Sequence, residues 1–235
     1  MQASLLDWFA EHRRDLPWRR TGDPYAILVS EVMLQQTQAA RVIPHYLAWL
    51  ERWPTVDALA SARASEVLRE WQGLGYNRRA LNLHRAAREV AANGWPEDLT
   101  ELPGVGRYTA DAVACFARGR PVLPIDVNVR RVLERTDAAF DHTCAQALMD
   151  LGATICIARV PRCGDCPLAN ECPSRGQRFE PLREQGRFEG SFRQRRAAAL
   201  RAVLDGMDPA DEEAIAALAE DGLVRLERGL VSLPD

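Results

Sequence analysis

Apolar residues recur at helical spacing along most of the 235-residue chain. The segment SLLDWFAEHRR predicts a helix with Leu5 and Phe9 on one broad face, and PYAILVSEVMLQQTQAARVIPHYLAWLERW predicts two more, with Pro44 near the start of the second. The same period predicts helices in TVDALASARASEVLREW, NRRALNLHRAAREVAANG, RYTADAVACFARG, DVNVRRVLERT and DEEAIAALAEDG. Only LVRLERGLVSLP alternates like a short β-hairpin. The pattern therefore predicts an all-α fold with a small C-terminal hairpin.

The composition fits one large globular domain or two modest ones. Apolar residues make up 47% of the chain, which is enough for a substantial core. No apolar run reaches the roughly 18 residues of a membrane span. The first twenty residues hold three acids and lack a cleavable signal pattern. We expect a cytoplasmic, intracellular protein with no membrane partner.

Charge is distributed unevenly, although the net charge is only −3. Acids concentrate in residues 202–235, and the chain before them is weakly basic. The chain has no lysine, so all thirty basic residues are arginines. No side-chain amine is therefore present to form a Schiff base with a substrate carbonyl.

Two glycines lie between predicted helical stretches in LPGVGRYTA. Glycines at this spacing allow a tight turn and leave backbone N–H groups open at a helix N-terminus, where a phosphate oxygen can bind. Most such pairs are simply turns, but the longer motif resembles the helix–hairpin–helix of DNA repair glycosylases. That resemblance implies that Gly104, Val105, Gly106 and Arg107 hold the DNA backbone without selecting a sequence.

About twenty residues further on, PIDVNVRRV places Asp126 at the start of a predicted helix. An aspartate in this position is most often an N-cap. Its distance from the hairpin also resembles that of the aspartate in helix–hairpin–helix glycosylases. The resemblance implies a carboxylate that stabilises an oxocarbenium-like transition state at the sugar.

Four of the six cysteines fall within CIARVPRCGDCPLANECP, separated by six, two and five residues. A structural zinc site is one alternative, although zinc ribbons usually pair two CxxC motifs and only one is present here. The spacing resembles the 4Fe–4S cluster loop of endonuclease III and MutY-type glycosylases. The resemblance implies that all four thiolates are cluster ligands; they are Cys156, Cys163, Cys166 and Cys172. The other two cysteines are expected to pack as small apolar side chains.

These three features occur in the order of the superfamily and cover residues 1 to about 175. The segment SEVMLQQT then distinguishes the branches, because it contains Glu31, and endonuclease III has no glutamate there. Alone, a glutamate in such a helix usually marks its solvated edge. Together with LPWR, WQGLGYNRRALNLH and ALMDLGATIC, the segment resembles the MutY-type adenine DNA glycosylases.

The resemblance implies a division of work between two carboxyl groups. Glu31 would be a general acid that protonates adenine N7, with its pKa raised by burial among apolar neighbours. Asp126 would stay ionised beside the sugar, contacted by Tyr108 and Asn128. The adenine pocket would include Leu16, Trp18 and Arg19. The residues that probe and fill the duplex would be Gln36, Thr37, Leu74 and Tyr76.

Tyr108 also bears on the reaction type. Bifunctional relatives have a Schiff-base lysine at this position of the hairpin helix, and this chain has tyrosine there and no lysine elsewhere. We therefore expect a monofunctional glycosylase.

The resemblance implies two helical subdomains that flank a cleft. A six-helix subdomain with the hairpin would span residues 22–121, and a cluster subdomain would combine 1–21 with 122–190. Residues 191–235 would form a small extension, resembling a reduced winged helix, in place of a NUDIX-like domain. DVNV replaces the common DGNV, and GYNR replaces GYYR.

The expected function is removal of adenine opposite 8-oxoguanine or guanine by a monomer bound to duplex DNA. Two alternatives stay open. One is a glycosylase for uracil or thymine opposite guanine, and the other is a cluster-bearing DNA-binding protein without catalysis.

Overall fold

The computed structural model describes residues 1–179 and 186–234. The helices are α1 (Gln2–His12), α2 (Pro24–Leu34), α3 (Ala39–Arg52), α4 (Val56–Ala60), α5 (Ala64–Glu70), α6 (Arg78–Asn93), α7 (Arg107–Arg118), α8 (Val127–Thr136), α9 (Ala145–Thr154), α10 (Phe192–Leu204) and α11 (Glu212–Glu220). Short 3-10 turns lie at Pro17–Arg19, Leu99–Glu101, His142–Cys144 and Cys163–Asp165. The predicted helical architecture is confirmed.

Capping residues set several of these bounds. Thr55, Asp126 and Asp211 each accept a hydrogen bond from a backbone N–H in the first turn of α4, α8 and α11 respectively. Helix α7 ends at its C-terminus with Gly119, which adopts a left-handed conformation with φ of 60°. Local sequence signals therefore account for where these helices begin or end.

Pro44 does not lie where the sequence suggested. Helix α3 begins at Ala39, so Pro44 lies inside the helix rather than in its first turn. A proline there removes the hydrogen bond to the carbonyl of Ala40. Ala40 is exposed, so water can bond to that carbonyl and the helix continues through the proline.

The predicted hairpin is confirmed as strands β1 (Arg225–Glu227) and β2 (Leu230–Ser232), which pair antiparallel with Glu227 opposite Leu230. Arg228 and Gly229 form the two-residue turn with φ of 50° and 81°. Positive φ at both turn positions matches the twist of the strands.

The chain divides into two compact units, one of Met1–Leu28 with Gly106–Glu184 and the other of Val29–Val105 with Gln185–Asp235. The core of the first unit packs α1, α8 and α9 together. Its buried members are Leu5, Val129, Val132, Cys144, Ala147, Leu148, Leu151, Ile155 and Leu168. Two cysteines of the loop, Cys156 and Cys166, pack against this core, so the loop is attached to a rigid base.

The second unit packs α4 and α5 against α6, and α10 against both α5 and α11. Trp49 is fully buried between Trp53, at 4.7 Å between ring centroids, and Trp71, at 5.5 Å, both edge-on. Such aromatic pairs add to the energy of apolar burial. The segment after residue 185 is therefore packed onto this unit through its helices.

The subdomain bounds predicted from the sequence stay predictions. Residues 180–185 and residue 235, which fall within two of the predicted subdomains, lie outside the described residues. Within 1–179 and 186–234, no helix is both long enough and apolar enough to cross a membrane.

A buried ion network anchors the N-terminal segment of the first unit. Asp150 is completely buried and accepts from Arg14 Nε at 2.7 Å and from both terminal nitrogens of Arg19 at 2.8 Å. The backbone N–H of Arg14 donates to the same carboxylate at 3.0 Å. Burial raises the pKa of Asp150, but the hydrogen bonds and charges of Arg19 and Arg14 outweigh it, so the pKa lies below its ordinary value.

We expect Asp150→Asn to destabilise the protein by about 3–5 kcal/mol at neutral pH, because two arginines lose their buried partner. Since the folded-state pKa of Asp150 is lowered, this stabilisation is present above the ordinary carboxyl pKa and is lost as pH falls through the lowered value. The measurement is urea unfolding at a series of pH values.

The control for that prediction is Asp15→Asn. Asp15 pairs with Arg20, but their side chains are 78% and 67% exposed. We expect a change below about 1 kcal/mol. Equal effects of the two substitutions, or an Asp150→Asn effect that grows as pH falls, would contradict the buried-network interpretation.

Candidate functional site

Asp126 is fixed at the N-terminus of α8. Its Oδ1 accepts from the backbone N–H of Asn128 at 2.9 Å and of Val129 at 2.6 Å, and its Oδ2 accepts from Asn128 Nδ2 at 2.9 Å. The N-cap expected from the sequence is therefore present. A helix N-terminus also stabilises a negative charge. Asp126 is half-buried between two exposed apolar residues, Ile125 and Val127.

A second layer of hydrogen bonds holds Asn128. Arg131 Nη2 donates to Asn128 Oδ1 at 2.7 Å and to the carbonyl of Gly152 at 2.7 Å, and its Nε donates to the carbonyl of Cys156 at 2.7 Å. Burial lowers the pKa of Arg131. The orientation of Asp126 is thus connected, through two side chains, to the first cysteine of the loop.

The four clustered cysteines line one cavity of the first unit. Its other lining residues come from α8, α9 and the loop, among them Arg135, Leu151, Ile155 and Arg175. None of the six cysteines forms a disulfide. Burial raises the pKa of the Cys166 thiol. A cation bound nearby would lower that pKa again.

Polar groups surround these sulfurs. The N–H of Gly176 donates to Cys163 Sγ at 3.3 Å, and Arg135 Nη1 lies 3.5 Å from Cys156 Sγ. Among residues 1–179 and 186–234, no three His, Cys, Asp or Glu side chains are close enough together to hold one metal ion. The four sulfurs share this cavity.

Glu31 lies in α2 and is 5% exposed. Nearly every face of this helix is apolar and buried. Its residues Ile27, Val29, Val32 and Met33 are each at most 4% exposed. A carboxyl group in such surroundings favours its protonated form unless charged or polar groups offset the burial. Glu31 belongs to the second unit and Asp126 to the first, so their meeting at one nucleotide stays a prediction.

The residues expected to probe the duplex lie in two loops of the second unit. Gln36 follows α2 with φ of 56°, and Tyr76 precedes α6 with φ of 48°. Left-handed backbone at a non-glycine residue costs about 1–3 kcal/mol and persists only where neighbouring contacts enforce it. Tyr76 is 44% exposed, whereas Leu74 is buried at 4%. The proposed DNA contact of Leu74 stays a prediction.

The glycine hairpin precedes α7. Gly104 has φ of 75°, and a Cβ there would lie 2.7 Å from Cβ of Asn82, so only glycine fits without displacement. Val105 is buried, Gly106 is the N-cap of α7, and the exposed Arg107 lies 4.0 Å from Asp111. Tyr108 is the second residue of α7 and is half-buried.

The expected base-pocket residues lie around the first 3-10 turn. Leu16 and Trp18 are 6% and 8% exposed, and Arg19 is the partner of Asp150. The guanidinium of Arg19 also lies 5.4 Å from the ring centroid of Phe9. Its evident local role is therefore structural, and a role at the base stays a prediction.

Sequence reasoning missed three residues that organise the site: Arg79, Arg131 and Asp150. Arginines are frequent on solvated helix faces, so periodicity alone does not distinguish a buried guanidinium. Asp150 lies in ALMDLGATIC, where a lone acid among apolar residues was the available signal.

The fold, the glycine hairpin and the capped aspartate together define a helix–hairpin–helix protein. Comparison with known families is more specific: a model described as HhH-GPD superfamily base excision DNA repair protein matches residues 29–151, more than half of the chain. The chain belongs to the HhH-GPD superfamily of base excision DNA repair proteins, and the family predicted from its motifs is confirmed.

Several relatives are similar over most of the chain. An adenine DNA glycosylase of Mycolicibacterium smegmatis is 45% identical over 237 residues, which cover 87% of this chain and 80% of that protein. One of Mycobacterium tuberculosis is 41% identical, covering 98% of this chain and 92% of that protein. The human adenine DNA glycosylase is 40% identical, with 81% of this chain matched to 42% of the longer protein.

Solved structures agree on the fold. A thermostable thymine-DNA glycosylase is 29% identical with a TM-score of 0.66, covering 73% of this chain and 93% of that one. A trapped endonuclease III–DNA covalent intermediate has a TM-score of 0.63 over 73% of this chain and 92% of that one. Its 22% identity shows likeness of fold alone.

We expect Gly152→Ala to disturb the support of Asp126. The new Cβ would lie 2.8 Å from Cβ and 2.9 Å from the backbone oxygen of Asn128, so α8 and α9 must separate. Overpacking of this kind costs about 1–3 kcal/mol. The measurements are urea unfolding and hydrogen exchange at the amides of Asn128 and Val129, which donate to Asp126. Both amides should exchange faster.

Gly22→Ala is the matched control, because a Cβ there meets nothing within 4 Å. Its stability and the exchange at both amides should match wild type. Unchanged exchange in Gly152→Ala would show that this close helix contact does not position the carboxylate.

Proposed function

We propose that this protein is a monofunctional DNA glycosylase that hydrolyses the N-glycosidic bond of adenine mispaired with 8-oxoguanine or guanine. The observation that supports this most directly is a glutamate buried in an apolar helix at the start of the family match. Relatives at 40–45% identity that are named adenine DNA glycosylase give independent support.

Glu31 would act as the general acid. Adenine is a poor leaving group, and protonation of its N7 weakens the bond to the sugar. The apolar neighbours of Glu31 supply the kind of environment that disfavours the ionised form of a carboxyl group.

Asp126 would act on the sugar. Departure of the base leaves positive charge on the ring, and a carboxylate with fixed orientation stabilises that charge without reorganising. The two backbone N–H groups at Oδ1 and the Asn128 amide at Oδ2 supply this fixed orientation. Water then adds to the sugar carbon and leaves an abasic site.

The absence of lysine supports a monofunctional reaction. A lyase step through a Schiff base requires an amine, and Tyr108 occupies the hairpin-helix position where bifunctional relatives have lysine. The product should therefore be an intact strand that breaks only on treatment with alkali.

The four clustered thiols fit a 4Fe–4S cluster better than a single zinc ion. They line one cavity, their spacing lacks the second CxxC motif of a zinc ribbon, and the four sulfurs around a cluster bind different iron atoms. Cys156, Cys163, Cys166 and Cys172 would hold the cluster, which when bound would crosslink the loop. The loop arginines Arg159 and Arg162 would then face DNA phosphates.

We expect the protein, purified without oxygen, to contain iron and acid-labile sulfide in equal amounts, with broad visible absorption. Cys163→Ser should lose most of both, because one of four ligands is removed. Cys115→Ser is the matched control, since Cys115 lies in α7 outside the cavity. Zinc in place of iron in wild type, or full iron and sulfide in Cys163→Ser, would contradict the assignment.

We expect Glu31→Gln to lower the single-turnover rate of adenine release by about 10²–10⁴-fold, because glutamine cannot donate the proton. Duplex binding should persist. The substrates are duplexes with 8-oxoG:A, G:A, G:U and G:T, treated with alkali after incubation. Glu51→Gln, at an exposed glutamate of α3, is the control and should keep the wild-type rate.

The four duplexes distinguish the proposed adenine glycosylase from the two alternative functions. Release of uracil or thymine alone by wild type would favour a mismatch glycosylase, similar to the structural neighbour named thymine-DNA glycosylase. Binding without cleavage of any duplex would favour a DNA-binding protein. Cleavage without alkali would contradict the monofunctional assignment.

A further inference from the structure

The guanidinium of Arg79 links the two loops that contain the expected DNA-probing residues. Its Nη1 donates to the carbonyls of Val32 at 2.8 Å and Met33 at 3.2 Å, and also to that of Gln35. These carbonyls lie at the C-terminal end of α2, where the last turn lacks helical partners. One half of the guanidinium therefore caps α2 and fixes the start of the first loop.

The other half of the guanidinium contacts the second loop. Nη2 donates to the carbonyls of Leu74 at 3.1 Å and Gly75 at 3.0 Å, and Nε lies 3.4 Å from the carbonyl of Tyr76. Nη2 also lies 3.3 Å from Thr37 Oγ1 in the first loop. A single planar group thus spans both segments.

Further contacts reinforce this arrangement. The Thr37 hydroxyl lies 3.3 Å from the Gln35 carbonyl and 3.5 Å from the Leu74 carbonyl, so it also bridges the loops. The indole N–H of Trp71 donates to Gly75 at 3.1 Å. The Arg79 guanidinium lies 5.3 Å from the Trp71 ring centroid and 5.5 Å from that of Tyr76.

Groups that Arg79 contacts adjoin both left-handed residues. Gln36, at φ of 56°, lies between the Gln35 carbonyl and the Thr37 hydroxyl, and Tyr76, at φ of 48°, follows the Gly75 carbonyl. Such backbone needs enforcing contacts, and Arg79 supplies them in both loops. Its acceptors are neutral oxygens, and burial lowers its pKa to about 10, so it stays charged at neutral pH.

We propose that Arg79 is a positioning residue that holds the loops 35–37 and 74–76 in one fixed arrangement, so that Gln36 and Tyr76 engage the duplex together while the target base leaves the stack. This inference rests on the proposed glycosylase function. Arg79 itself is not a catalytic residue, because it contacts the loop backbone rather than the reacting atoms.

The test is Arg79→Lys, which keeps the charge but replaces five donors in a planar fork with three on a point charge. The probe is a duplex with 2-aminopurine, a fluorescent adenine isomer, opposite 8-oxoguanine; its fluorescence rises when it leaves the stack. We expect the rise and the single-turnover rate on 8-oxoG:A to slow together by about tenfold to a hundredfold. Affinity for an undamaged duplex should stay at the wild-type value.

Arg78→Lys is the matched control, since Arg78 adjoins Arg79 but is 65% exposed and pairs with Asp221. This substitution should leave the rate of the 2-aminopurine fluorescence rise unchanged. Thr37→Val, which removes the second bridge, keeps the proposal testable if urea unfolding shows that Arg79→Lys does not fold. It should slow the fluorescence rise less strongly than Arg79→Lys does. Where Arg79→Lys folds, the effect of Thr37→Val should be smaller in the Arg79→Lys background, because both side chains hold the same loops.

The outcomes separate this inference from the proposed function. If the 2-aminopurine fluorescence of folded Arg79→Lys or Thr37→Val rises at the wild-type rate, the positioning role is overturned. The proposed glycosylase function is not affected by that result. If Arg79→Lys weakens binding to the undamaged duplex as much as it slows the fluorescence rise, Arg79 has only a general structural role. That result would also overturn the positioning role. If wild type releases no base from any duplex, the proposed function fails, and the 2-aminopurine step still reports on Arg79 separately.

Discussion

Hydrogen bonds from half-buried and buried arginines to main-chain carbonyls hold the irregular segments that carry the candidate site residues. Arg79 donates to the loops 35–37 and 74–76, and Arg131 donates to the carbonyls of Gly152 and Cys156. Arg135 donates to the carbonyls of Ile157 and Ala158 at 2.8 and 2.6 Å and lies 3.7 Å from the ring centroid of Phe179. A loop carbonyl away from water needs such a partner, because no helix or sheet supplies one. These contacts determine the shape of each functional loop.

Arginine suits this task for two reasons. Its guanidinium presents five donors in one plane, so a single side chain can satisfy carbonyls from two segments at once. It also stays protonated when buried: even with the pKa of Arg79 lowered to about 10, the group is charged at neutral pH. An ammonium group offers three donors at one point. The chain has no lysine, and the structure gives its buried arginines a scaffolding role that lysine would fill poorly.

The sequence predicted those parts of the molecule that depend on local rules. Helical periodicity, the Asp126 cap and the C-terminal hairpin are set by neighbouring residues, so they were accessible to pattern reasoning. Pro44 was misplaced because the exposure of Ala40, which lets water satisfy its carbonyl, is a tertiary property. Arg79 was not anticipated for a similar reason: its acceptors lie as far as 47 residues away in sequence. Local patterns do not encode contacts of that range.

Asp126 shows how a local rule can supply what a proposed functional role requires. An N-cap and a catalytic carboxylate look like competing interpretations of the same aspartate, yet the cap supplies what the chemistry requires. Two backbone N–H groups hold Oδ1 in place, and Asn128, two residues later, holds Oδ2 from the same helical turn. The carboxylate therefore needs no reorganisation when charge develops near it. The spacing of aspartate and asparagine in DVNV is thus a folding signal that also supplies the fixed carboxylate which the proposed reaction requires.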